Sequence, residues 1–152
     1  MASALTGSSP HCSSVNQKLT FIRHTDLMQL HSPANAKRRA AENLGRLAEE
    51  DVAAFWRARG YDILAQRLRT GVGEIDLILA DRVTLVFVEV KARKSMAEAA
   101  YSVSPRQQAR LLEAANLALA KHDDWQRENI RFDVALVCNG VIEHVEDAIR
   151  YH

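Results

Sequence analysis

Four side chains able to do chemistry lie in segments otherwise built for a dry interior. Glu74 and Asp76 fall within Gly73-Glu74-Ile75-Asp76-Leu77-Ile78, and Glu89 and Lys91 within Val86-Phe87-Val88-Glu89-Val90-Lys91. Both segments read as strands, in which residues two apart project from one face. Glu74 is therefore expected to share a face with Asp76, and Glu89 with Lys91. If the two strands pair as a hairpin, both sets converge at one end of a sheet. Carboxylates and an ammonium cost several kcal/mol each to bury without partners. One resolution is structural, an ion pair from Lys91 to Asp76 or Glu89. A single ammonium leaves carboxylate charge over, however, and a hard cation with oxygen ligands accounts for the surplus.

A fifth group, Glu49, precedes these strands. It lies three residues before Val52 and seven before Trp56, on the margin of an apolar helical stripe. Its neighbours Glu50 and Asp51 also permit a plain solvated acidic face. The small residues Gly45 and Ala48 would let this helix approach a sheet closely. Arg67, Arg69, Arg93, Lys94, Arg106 and Arg110 flank the acidic groups in sequence and are candidate phosphate contacts, which position a nucleic acid without reading its bases.

These groups need elements to hold them. Ala40, Leu44, Ala48, Val52 and Phe55 recur at helical spacing from Lys37 onward, and Gly60 suits the end of that helix. Strands are expected at Tyr61–Arg69, Glu74–Leu79 and Thr84–Ala92, separated by turns at residues 70–73 and at Asp81-Arg82. Ser104, Pro105 and Gln107 form the N-cap, first position and capping-box partner of a second helix, whose apolar face is Leu111, Leu112, Ala115, Ala118 and Leu119. Phe132–Cys138, the turn Asn139-Gly140 and Val141–Val145 make a final hairpin. Helix, three strands, helix, two strands is a mixed α/β layer.

Composition narrows the classes. With 152 residues, 47% hydrophobic and 26% charged, the chain suits one globular domain. Its formal charge of +1 means any polyanion must be held by a local patch. No stretch approaches a membrane span, and the start has neither the basic nor the apolar region of a secretory signal. The serine-rich beginning matches an organelle transit peptide only faintly, being poor in arginine. Cys12 and Cys138 sit in unlike contexts without metal-type spacing, so reduced thiols in a cytoplasm are expected. Residues 1–36 read as a flexible extension and 37–152 as the domain. His11, His24, His31, His122, His144 and His152 are dispersed. Asp133, inside a strand, is assigned to packing or a local ion pair, Trp125 and Tyr101 to partial core, with Tyr101 also able to border a groove.

Gly45-Arg46-Leu47-Ala48-Glu49, Arg59-Gly60-Tyr61, the Gly-Glu-Ile-Asp-Leu-Ile and Val-Glu-Val-Lys segments, and Arg131-Phe132-Asp133 follow in order. Together, over about residues 37–150, they closely resemble the YraN family of bacterial proteins. That family resembles the PD-(D/E)xK, restriction-endonuclease-like nucleases, in particular archaeal Holliday-junction resolvases. The resemblance implies an αβββαβ core with a mixed central sheet flanked by helices. It further implies that Asp76 and Glu89 hold Mg²⁺ or Mn²⁺, with the Val90 carbonyl as an additional donor. Glu49 would be a further or water-mediated ligand, and Lys91 would orient the attacking water and stabilise charge on the phosphate. Glu74 has no settled role in that core and is read as a supporting partner only because it shares the face expected for Asp76. Many relatives carry lysine where this chain has Gln107, whose capping role is sufficient explanation, although it can still bond a phosphate or water. The activity implied is endonucleolytic, on DNA more than RNA, with branched or single-stranded substrates in repair or recombination. The alternative is a nuclease-fold module that binds nucleic acid or a partner protein without cutting. A homodimer is implied only by analogy with the resolvases.

Overall fold

The computed structural model describes residues 32–93 and 103–150. Helix α1 (Pro33–Arg57) is followed by β1 (Asp62–Arg69), β2 (Glu74–Ala80), β3 (Thr84–Ala92), α2 (Pro105–Leu119), a 3-10 turn (Asp123–Trp125), β4 (Asn129–Cys138) and β5 (Val141–Val145). The expected element order holds, and with it the α/β class. Tyr101 and Lys94 lie outside the described residues, as does most of the N-terminal segment.

The strands form one sheet in the order β1-β2-β3-β4-β5. β1, β2 and β3 make an antiparallel meander, β3 and β4 run parallel, and β5 returns antiparallel to β4. A parallel neighbour needs a long crossover, and α2 supplies it. β3 lies between two strands and its residues Leu85–Val88 are fully buried, as its unbroken apolar run requires. Alternate residues then serve opposite layers. Ile78, Leu85 and Phe87 pack with Leu111, Ala114, Ala115 and Ala118 of α2. Leu77, Leu79, Val86 and Val88 pack with Ala48, Val52, Ala53 and Trp56 of α1.

Local codes set the ends of these elements. The Ser104 hydroxyl accepts from the Gln107 N–H while the Gln107 side chain accepts from the Ser104 N–H, the full reciprocal cap. Asn139 and Gly140 both adopt positive φ, the condition for a two-residue turn that matches strand twist. β4 begins at Asn129, three residues before the expected Phe132, because it pairs along the whole of β3 from Thr84.

Two expectations for α1 need correction. The helix starts at Pro33, not Lys37: Ser32 caps it by accepting the Asn35 N–H at 3.3 Å, and Pro33 needs no donor in the first turn. The apolar periodicity is helical throughout, yet Ala40 and Leu44 are exposed and burial begins at Ala48. Around Ala40 and Leu44 the helix lies beyond what the sheet covers.

Candidate active site

The site forms where β2 leaves β3. Their last bridged pair is Leu77 with Val88, both fully buried. Asp76 is the next residue, and its carboxylate takes over from the ladder: Oδ2 accepts the Val90 N–H at 2.8 Å. The other oxygen, Oδ1, has no hydrogen bond among the described residues. On the opposite side, β1 and β2 keep one register from Gln66–Leu77 to Leu68–Ile75, with no bridge at Arg67 and Asp76 between them. Arg67 takes the left-handed conformation, φ 51°, which costs about 1–3 kcal/mol in a non-glycine residue. Alternation breaks at the same place, since Ile75 packs towards α2 and Leu77 towards α1. Strict two-residue periodicity, the basis for putting Glu74 and Asp76 on one face, does not run through this stretch.

β3 keeps its alternation, so Glu89 and Lys91 do share a face. The Lys91 ammonium contacts the Glu89 carboxylate, with side-chain exposures of 12% and 15%. Of the two ion pairs open to Lys91, this one forms. Glu89 opens onto a cleft of about 190 Å³ lined also by Gly73, Glu74, Gln107, Arg110 and Leu111.

A second chain of charge enters from α1 and β1. Arg67 Nε lies 3.8 Å from Glu49 and 2.9 Å from Glu74, and Arg69 Nε 3.0 Å from the other Glu74 oxygen. Partial burial pushes the Glu49 carboxyl up, with Arg67 pulling against it. Desolvation pushes Glu74 up as well, but the hydrogen bonds from Arg69 and Arg67 outweigh it and its net shift is downward. Asp76 accepts from no arginine among the described residues. Burial, reinforced by the nearby Glu89 charge and opposed by the Val90 N–H, pushes its carboxyl up to about 7. The pocket strongly disfavours a bare second anion.

Oxygen donors with surplus negative charge are the chemistry a hard cation requires. Asp76 has an oxygen without a hydrogen bond among the described residues to offer one, and Glu89 stands near enough to raise its pKa. As the side chains stand, no group of three His, Cys, Asp or Glu among the described residues is gathered to hold a metal ion. Glu89 is engaged by Lys91 instead.

The predicted basic residues divide. Arg110 lines the cleft, donates to the Val72 carbonyl at 3.2 Å and packs over Gly73, where a Cβ would approach its guanidinium to 3.2 Å. Gln107 lines the same cleft while serving the helix cap. Arg67 and Arg69 are tied to carboxylates, Arg106 is exposed, and Arg93 borders a separate groove beside α1.

One polar cluster escaped the sequence reading in its extent. Asp133 is fully buried and receives Arg131 Nε at 2.9 Å, Arg131 Nη2 at 3.0 Å, the Asp147 N–H at 2.9 Å and His144 Nε2 at 2.7 Å. It is an ion pair, as assigned, but its reach across β4, β5 and the turn that follows, and the role of His144, depend on β4–β5 pairing. The one local signal is Arg131 two residues before Asp133, on the same strand face.

An α/β chain with this strand order, whose acidic residues and lysine stand at the open ends of a buried hairpin, is of the restriction-endonuclease-like class. Residues 48–137 match the family described as uncharacterised protein family UPF0102. Curated relatives bearing that family's name include one from Acidiphilium cryptum, 52% identical over 115 residues, covering 76% of this chain and 90% of the relative. Others come from Bradyrhizobium, 46% identical with 75% and 84% covered, and from Azorhizobium caulinodans, 44% identical with 77% and 90% covered. The chain belongs to UPF0102, the YraN family.

Proposed function

We propose that the protein is a metal-dependent endonuclease that hydrolyses phosphodiester bonds in DNA, with branched or single-stranded DNA as substrate and repair or recombination as setting. The observation that carries this reading is the convergence of Asp76, Glu89 and Lys91 at the diverging ends of β2 and β3, beside a cleft bordered by Arg110 and Gln107.

Asp76 and Glu89 would hold Mg²⁺ or Mn²⁺, with Glu49 acting directly or through water. Mg²⁺ retains several waters and needs few carboxylates, which suits two strand residues without a closed protein cage. When bound, such a cation offsets phosphate charge and lowers the pKa of water. The Val90 N–H fixes the Asp76 carboxylate against rotation. Lys91 exchanges Glu89 for the reacting phosphate, where its ammonium orients the attacking water and stabilises the charge that builds on oxygen. Arg110 and Gln107 grip the phosphodiester from α2, and Glu74 keeps Arg67 and Arg69 in place along the rim. Contacts of this kind to phosphate carry no base code, so the substrate would be selected by its shape.

A second reading is a nuclease-fold module that binds nucleic acid or a protein partner without cutting. The Lys91–Glu89 contact favours it, since a carboxylate satisfied by its own lysine has less need of an ion. Cleavage of duplex, single-stranded, flapped and four-way DNA and of RNA, with Mg²⁺ or Mn²⁺, separates the two. Cutting that is lost in both Asp76→Ala and Lys91→Ala supports the nuclease. Binding without cutting supports the module, and cutting that survives both substitutions marks a contaminant.

A further inference from the structure

From Lys37 to Leu47, α1 runs clear of the sheet. Every residue in that span is exposed except the half-covered Gly45. Ala40, Ala41, Leu44 and Leu47 follow at steps of one, three and three residues, which keeps them on one side of the helix. Leu44 and Leu47 are 57% and 59% exposed. They also border a groove of about 670 Å³ with Ala92 and Val137. Single exposed leucines are ordinary, whereas an apolar stripe continuous with an apolar groove marks an interface.

The charges at the ends of the stripe identify what covers it. Lys37 lies seven residues before Leu44 and Asp51 seven after, so both fall on its side of the helix, about two turns away. Neither takes an ion pair with another described residue. A two-fold axis through Leu44 carries each position onto the one equally far on the other side. Lys37 then meets Asp51 of a second copy, and the match occurs twice. Parallel pairing would set like charges together. A foreign partner would need no such self-complementarity.

We propose that the chain self-associates through α1, with two copies packed antiparallel about Leu44, Leu47 over the small Ala41 side, and Lys37 paired to Asp51 across both ends. The inference is independent of whether the site cuts DNA. It sets the two Glu49 residues, each five positions from the axis, about 15 Å apart along the paired helices, so that one particle carries two adjacent sites.

Sedimentation equilibrium of the full chain tests it. The expected mass is twice the 17.0 kDa of one chain. Leu44→Glu combined with Leu47→Glu is expected to give a monomer with unchanged circular dichroism, since neither side chain supports the monomer core, and with a melting temperature that no longer depends on protein concentration. Lys37→Asp and Asp51→Lys are each expected to weaken the dimer on the order of tenfold, and the two together to restore it. A wild-type monomer at all concentrations, a dimer indifferent to the leucine substitutions, or a double charge swap no tighter than its parents would overturn the proposal.

Discussion

Asp76 is tied to the backbone of Val90 by a 2.8 Å hydrogen bond, one residue beyond the last closed rung between β2 and β3. The bond orients one carboxylate oxygen, and the other has no hydrogen bond among the described residues, in a pocket where burial and Glu89 push the group up to about 7 from its ordinary 3.8. The first prediction concerns pH. Between those two values the folded protein binds a proton that the unfolded chain has released. The stability contributed by this proton is complete below about pH 4 and is lost as pH rises through about 7, on the order of 4 kcal/mol in all. In EDTA, the melting temperature of the wild type should fall from pH 4.5 to 8 relative to Asp76→Asn. Mg²⁺ should recover the difference at pH 8. Parallel pH profiles for the two proteins would show that Asp76 is not strained.

Lys91 gives the second. Lys91→Met frees Glu89 of its ammonium partner, so Mn²⁺ should bind at least as tightly by calorimetry. Cleavage should fall by about 10²–10³-fold, the loss expected when a charge-stabilising donor is removed. Equal cleavage by both proteins would take Lys91 out of the chemistry.

Gln107 gives the third, because it serves both cap and cleft. Gln107→Lys forfeits its half of the capping box, for which about 0.5–1 kcal/mol is a reasonable loss. It adds an ammonium beside Glu74 and Glu89, so DNA should bind more tightly at low salt, with a steeper dependence on salt. Affinity that stays constant across the salt titration would place position 107 away from the bound phosphates.

The buried Asp133 cluster gives the fourth. Asp133→Ala leaves the Arg131 guanidinium and His144 without their shared carboxylate, and breaking a buried pair from one side costs about 3–5 kcal/mol. Urea denaturation should register that loss. His144→Ala should cost less, since Arg131 keeps its partner. A mild Asp133→Ala effect would mean that water replaces the carboxylate.

Elements whose limits are written in neighbouring residues were legible before any fold was seen. Ser104 with Gln107, and Asn139-Gly140, are local codes, and the valine-rich run of β3 needs no partner to be recognised. Approach of Asp76 to Glu89 and Lys91 followed from alternation within β3 and from the hairpin. The break in β2 did not, because it lies beside Arg67 of a neighbouring strand, whose positive φ no local code announces. Ser32-Pro33 misled for a related reason: the same dipeptide that interrupts a chain also begins a helix. Leu44 shows the other boundary of such reading, since a helical period says which residues share a side and not whether anything lies against it. His144 became interpretable only when β5 laid it beside Asp133.

The closed rung Leu77–Val88 has a mechanical consequence. It is fixed in the dry centre of the sheet, and Asp76 and Glu89 are each a single residue away from it. Levers this short transmit little motion, so fraying of surrounding loops should leave the spacing of the two acids intact. Heating should then weaken whatever those acids grip only when the whole domain melts, in one step and at one temperature.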